Sequence, residues 1–275
     1  MMVLIPYGGL ANRMRVVASI LAFKKDHQVN VKVYWVRNNE TMCKFSDLFQ
    51  SIDVPGFQVI DTDFKPLRYA KFQSKKVFKK QVCNCIGIFQ DLTLDLKLFD
   101  TQVITYFKDW DNVVKISSLN KVVIETCYAF YSNHNTYHYF KPIDRLADRI
   151  KNETSLFNKN TVGVHIRRTD LNRTVESPTT AFVKAMNEQI EENSNTVFFL
   201  ASDSEDEKRV LKNRFPTRII TSTKVVTRLS KTGMEDALVD LYNLAKTRLI
   251  LGTSDSSFSV IAHYMGNIPH KVVKQ

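Results

Sequence analysis

From residue 160 onward the hydrophobic and polar positions switch regularly between two periods. Short apolar runs at 162–166, 196–200, 217–220, 248–251 and 271–273 are separated by longer stretches of helical period at 179–191, 204–214, 233–246 and 256–264. Strands alternating with helices of about ten residues predict βαβ units and a parallel, doubly wound sheet. The first half is less regular. An apolar run at 2–5 leads through Pro6-Tyr7-Gly8-Gly9-Leu10-Ala11-Asn12 into a predicted helix at 13–25, with Met14, Val17, Ala18, Leu21 and Ala22 on one face. Further strands are expected at 29–36, 57–60 and 122–125, a short helix at 41–51, and a helix opened by Pro142. Residues 64–120 hold apolar runs without a sustained period, which reads as short helices and loops. The polar stretch 151–160 sets the expected boundary between an N-terminal domain, 1–150, and a C-terminal domain, 151–275.

In an open α/β sheet, ligands bind beyond the carboxyl ends of the strands. The second half would bring three loops to that edge: 167–177, 201–204 and 252–257. The first follows Val162, Val164 and Ile166 and begins with Arg167, Arg168 and Asp170. An arginine there keeps its charge and offers a planar fork of donors suited to phosphate. Arg167 is the candidate anchor of an anionic ligand, and the structural alternative is an ion-pair cluster in which Arg167 and Arg168 pair with Asp170 or nearby acids. Asp203 can accept two donors from a base edge or cap a helix, a role Ser204 could share. Thr253, Ser254, Ser256 and Ser257 supply hydroxyls and amides at a helix start, a ready phosphate site, and capping would occupy only one of them. In the first half, Gly8, Gly9 and Asn12 form a strand, glycine turn and helix start. That arrangement serves a closely approaching ligand or simply a tight turn. Neither G-x-G-x-x-G nor G-x-x-x-x-G-K is present.

Composition narrows the class. The 275 residues are 44% hydrophobic and 24% charged, as in a soluble globular protein, and carry a net charge of +11. No signal peptide or long apolar span is visible, so the cytoplasm is the expected location. Cys43, Cys83, Cys85 and Cys127 lack zinc-site spacing and are expected as free thiols. Between 64 and 80, Lys65, Arg68, Lys71, Lys75, Lys76, Lys79 and Lys80 interleave with Phe64, Tyr69, Phe72 and Phe78 and no acid. That stretch is either a solvated face or a patch for an anionic membrane surface, glycan or RNA. Asp61-Thr62-Asp63 has the D-x-D spacing that can hold a divalent cation, but Asp109-Trp110-Asp111 repeats it and the spacing is common by chance. His134 and His138 lie at helical spacing without a third ligand, so no metal site is expected.

These residues, taken in order, carry a resemblance. His165-Ile166-Arg167-Arg168-Thr169-Asp170 resembles the H-x-R-R-x-D motif of the GDP-fucose-dependent fucosyltransferase superfamily, which includes α1,2-, α1,6- and protein O-fucosyltransferases. Ala201-Ser202-Asp203 is similar to its second motif, and the stretch from Thr253 through Ser256-Ser257-Phe258-Ser259 to Met265 to its third. Gly8-Gly9-Leu10-Ala11-Asn12-Arg13 is similar to its N-terminal glycine loop. The resemblance spans most of the chain apart from about 40–140. It implies a GT-B fold, two Rossmann-like doubly wound domains facing a cleft, with the donor held mainly by the second. It also implies an inverting transferase that needs no metal or other cofactor and uses GDP-fucose as donor. On that basis Arg167 would bind the β-phosphate, His165 and Asp203 would order the nucleotide, and Ser256 and Ser257 would contact phosphate. Gly9 and Asn12 would close over the ligand. Where the α1,6 enzymes place Lys and Glu after the motif, this chain has Leu171 and Val175, so the general base does not carry over. Glu176 is the preferred candidate and Asp170 the second. The expected partners are GDP-fucose and a glycan or glycolipid acceptor, with peripheral contact at the inner membrane face through 64–80 and no nucleic acid. Two other readings remain, a GT-B transferase using another nucleotide sugar and a basic RNA-binding protein.

Overall fold

The computed structural model describes residues 1–63, 95–132, 135–168, 175–222 and 227–275. Within these the chain forms two compact units, Met1–Lys141 and Pro142–Gln275. The basic stretch 64–80, Cys83, Cys85, His134 and Asp170 lie outside the described residues.

The first unit contains β1 (Met2–Pro6), α1 (Leu10–His27), β2 (Val31–Val36), β3 (Phe57–Thr62), β4 (Leu96–Phe99), α2 (Thr101–Lys108), α3 (Trp110–Ser118) and β5 (Val122–Thr126). Its strands form one sheet in the order β3-β2-β1-β5-β4, every pair parallel. β1 and β5 are buried along their whole length, as continuous apolar runs require when both faces are covered. The expected helix at 41–51 is instead a single 3₁₀ turn, Phe45–Asp47. Phe45 packs edge-on against Trp35 and Phe49 against Phe140. The Asp61 carboxylate also accepts from the amides of Phe45 and Ser46 at 2.5 and 3.1 Å. Those tertiary ties outweigh the weak local helical tendency.

The second unit contains α4 (Asp144–Thr154), β6 (Thr161–Ile166), α5 (Thr179–Glu192), β7 (Val197–Ser202), α6 (Glu205–Arg214), β8 (Ile219–Ile220), α7 (Lys231–Leu244), β9 (Ile250–Thr253), α8 (Ser257–Gly266) and β10 (His270–Val273). Its sheet is also fully parallel among the described strands, in the order β10-β9-β6-β7-β8. Val162, Val164, Phe182, Met186, Phe198 and Leu251 are central members of its apolar core. The two units divide between Lys141 and Pro142, ahead of α4 rather than behind it, because α4 belongs with α7. Arg149 on α4 donates to Asp236 at 2.5 Å and to Glu153 at 2.9 Å, and Asn243 on α7 donates to Glu153 at 2.7 Å.

Each sheet starts at its middle strand and grows first to one side, then to the other. The reversal falls between β1 and β5 in the first unit and between β6 and β9 in the second. Ligands of open α/β sheets bind at such switch points.

Candidate active site

At the switch point of the second sheet, the end of β6 is joined to the end of β9. The Arg167 amide donates to Thr253 Oγ1 at 3.0 Å, and Thr253 Oγ1 donates to the His165 carbonyl at 3.1 Å. His165 is buried, stacked on Phe258 with ring centres 4.8 Å apart, and its Nδ1 lies 3.5 Å from Ser256 Oγ. Beside it in register is Gly252, where a Cβ would fall 2.4 Å from His270 Nε2 and 2.7 Å from Ser259 Oγ. A bulkier residue there would push α8 away from β9. The loop before α8 turns through Asp255 at φ 53, and α8 starts at Ser256 without a side-chain cap. Ser254 Oγ is buried and meets no protein partner among the described residues. Uncapped amides and an unpartnered hydroxyl at a helix amino terminus suit an anion. Ser257 opens the same helix and is half-buried.

The adjacent arginine, Arg168, is tied into the fold by its side chain. Its own amide donates to Asp203 Oδ1 at 2.8 Å. The Arg168 guanidinium donates to Glu207 at 2.7 Å, to the Ser177 carbonyl at 2.9 Å and to Thr179 Oγ1 at 3.2 Å. Both side chains of the Arg168–Glu207 pair are nearly buried, at 11% and 13% exposed. Asp203 therefore stands beside the first loop, and the cap of α6 is Ser204, which accepts from the Glu207 amide. Glu176 is exposed in a helical turn ahead of α5, and its carbonyl accepts from the Gln275 amide.

Two contributors were not read from the sequence. Ser177 is buried, accepts from the Ser254 amide at 3.1 Å and donates to the Val273 carbonyl at 2.6 Å. Nothing local marks it. Glu207 carried a signal of another kind, since Ser204-Glu205-Asp206-Glu207 has the spacing of a capping box, yet its carboxylate turns to Arg168 and Thr179.

At the switch point of the first sheet, Gly8 has φ 84, and a Cβ on it would lie 2.8 Å from Asn12 Nδ2, so the turn demands glycine. Gly9 begins α1 without a side-chain cap. The turn is held by Arg13, which is fully buried and donates to the carbonyls of Gly8 and Val36 at 2.9 and 2.6 Å and to Asn38 at 3.0 Å. Burial lowers its pKa to about 10.

The D-x-D acids have structural partners. Asp61 binds the amides already described, Asp63 pairs with Arg37 at 2.8 Å, and Asp109 caps α3. Among the described residues no group of three His, Cys, Asp or Glu could hold a metal ion. Neither Cys43 nor Cys127 forms a disulfide among the described residues. No described helix is long and apolar enough to cross a membrane.

No family model matches the chain, and no curated protein matches it. Solved structures do share its fold. The α1,6-fucosyltransferase NodZ soaked with GDP-fucose is 18% identical at a TM-score of 0.65, with 96% of this chain and 92% of that one covered. A mutant of FUT1 from Arabidopsis thaliana in complex with GDP is 15% identical at a TM-score of 0.63, covering 98% of this chain and 69% of that one. POFUT1 in complex with GDP-fucose is 14% identical at 0.55, covering 99% and 97%. The protein thus shares the fold of GDP-fucose-binding fucosyltransferases, an α/β architecture with two parallel-sheet, Rossmann-like halves.

Proposed function

We propose that the protein is a GT-B glycosyltransferase that moves fucose from GDP-fucose to a glycan or glycolipid hydroxyl, with inversion and without a metal ion. One observation carries the reading: His165, Arg167, Thr253, Ser254 and Ser256 meet at the switch point of the second sheet, in a fold shared with fucosyltransferases solved with GDP or GDP-fucose. Arg167 and the start of α8, with Ser256 and Ser257, take the diphosphate, and Asp203 and His165 order the nucleotide. Arg168 acts through its ion pair, fixing the loop rather than touching the donor. The share of Gly8, Gly9 and Asn12 in donor binding rests on the sequence resemblance.

In this reading the acceptor oxygen attacks the anomeric carbon as its bond to the diphosphate breaks. The electron pair leaves with GDP, the charge is met by Arg167, and the hydroxyl proton passes to Glu176, with Asp170 as the second candidate. A single displacement inverts the centre. Peripheral contact with an anionic membrane through 64–80 belongs to the same reading.

Thermal unfolding with EDTA, comparing GDP, GDP-fucose, UDP and ADP, tests the donor. A ligand at about 100 times its Kd adds about 2.7 kcal/mol. Shifts with GDP and GDP-fucose alone support the reading, shifts with UDP or ADP favour a transferase of another nucleotide sugar, and none with any of them removes the transferase reading.

A further inference from the structure

The carboxyl edge of the first sheet holds a second polar constellation. Asp100 follows β4, Tyr7 follows β1 and Cys127 follows β5. The Tyr7 hydroxyl donates to Asp100 Oδ1, and the Cys127 thiol lies against the same hydroxyl. Burial and Asp100 raise the Tyr7 pKa, so the phenol stays protonated and donates.

Asp100 occupies the N-cap of α2, where an aspartate ordinarily accepts from the helix amides. Here it makes no side-chain cap bond, and its backbone sits at φ 51, ψ −127, a conformation L residues rarely adopt. The surroundings fix that geometry. The Asp100 amide donates to the Glu125 carbonyl at 2.8 Å, and its carbonyl accepts from Thr126 Oγ1 at 3.1 Å. A side chain withdrawn from its stabilising role and held in a strained backbone is an indication of function. Asp100 is exposed, and its Oδ2 has no partner among the described residues.

Resting on the transferase reading above, we propose that Asp100, oriented by Tyr7, binds the acceptor saccharide by accepting a hydrogen bond from one of its hydroxyls. A carboxylate with one oxygen fixed by a phenol and the other open matches a sugar hydroxyl in chemistry and reach. Asp100 would then help decide which saccharide is taken.

The test is saturation-transfer NMR of the full chain with methyl pyranosides of galactose, glucose, mannose and N-acetylglucosamine, on wild type, Asp100→Asn and Tyr7→Phe. The GDP-induced thermal shift is read on the same samples. The asparagine is isosteric and tolerates positive φ, and Tyr7→Phe leaves the Asp100 backbone alone, so at least one variant reports on a folded protein. The expected result is a saccharide signal in wild type, weakened at least tenfold in Asp100→Asn and to a smaller extent in Tyr7→Phe, with the GDP shift retained. No saccharide signal in wild type, or an undiminished signal in Asp100→Asn, overturns the proposal. A missing GDP shift in wild type counts against the donor reading instead, so the two failures are told apart.

Discussion

The Arg167 amide donates to Thr253 Oγ1 at 3.0 Å, and the same hydroxyl donates onward to the His165 carbonyl at 3.1 Å. One buried hydroxyl thereby closes the end of β6 against the end of β9. The direction in which Arg167 leaves the sheet is set by β9 as much as by β6.

Thr253→Val keeps the volume and removes the hydroxyl, leaving the Arg167 amide and the His165 carbonyl short of a partner. A loss of about 1–3 kcal/mol in urea unfolding is expected, together with GDP binding weakened about tenfold. Thr253→Ser should retain both bonds and most of the affinity. Wild-type GDP affinity in the valine variant, measured by calorimetry, would show that Thr253 does not position the anion site.

Adjacent arginines should separate cleanly. Arg168→Ala strips the partner from the nearly buried Glu207, and breaking such a pair costs about 3–5 kcal/mol. Its midpoint of thermal unfolding should fall by several degrees. Arg167→Ala should cost less stability than Arg168→Ala, yet lower turnover of GDP-fucose a hundred- to a thousandfold if it meets the leaving diphosphate. Equal stability losses in the two variants would undo this division.

That division marks where sequence reasoning stops. The strands of the second sheet were legible because runs such as Thr161–Ile166 are buried on both faces and so read as continuous apolar segments. The convergence of the three loops on one edge followed from strand order. The ion pair that Arg168 makes was not legible residue by residue, because the partner Glu207 lies on another helix. Helices α2 and α3 were legible only as short helices without assigned positions, for a local reason. Val103 and Phe107 in one and Val113 and Ile116 in the other are each buried at helical spacing, but the chain breaks at Asp109 before either period is sustained. Asp100 carried no signal at all, since its significance lies in a backbone angle and in a contact with Tyr7, far off in sequence.

Gly8→Ala tests the turn of the first sheet. A Cβ would meet Asn12 Nδ2 at 2.8 Å, and φ 84 is unfavourable for alanine, so roughly 1–2 kcal/mol of stability should be lost. Gly9 has φ −70, and Gly9→Ala should fold nearly as well as wild type by the same chemical denaturation. If both substitutions cost the same, the positive φ at Gly8 is not what the loop requires.

Asp240 gives the second unit a pH dependence whose sign can be worked out. It is buried on α7, and its pKa is raised from 3.8 to about 7, chiefly by burial, with Glu153 and Asp236 adding to the rise and Lys208 and Arg149 opposing it. Between about pH 4 and 7 the folded state therefore holds a proton that the unfolded state has released. The contribution is fully present below pH 4 and is lost as pH rises through 7. Asp240→Asn mimics the protonated side chain and should remove that dependence. Urea unfolding at pH 5 and pH 8 should show the variant gaining stability over wild type at pH 8 relative to pH 5, on the order of 1–4 kcal/mol. An equal difference between the proteins at both pH values would mean that Asp240 stays ionised in the folded protein, held by Lys208 and Arg149 more strongly than burial opposes it.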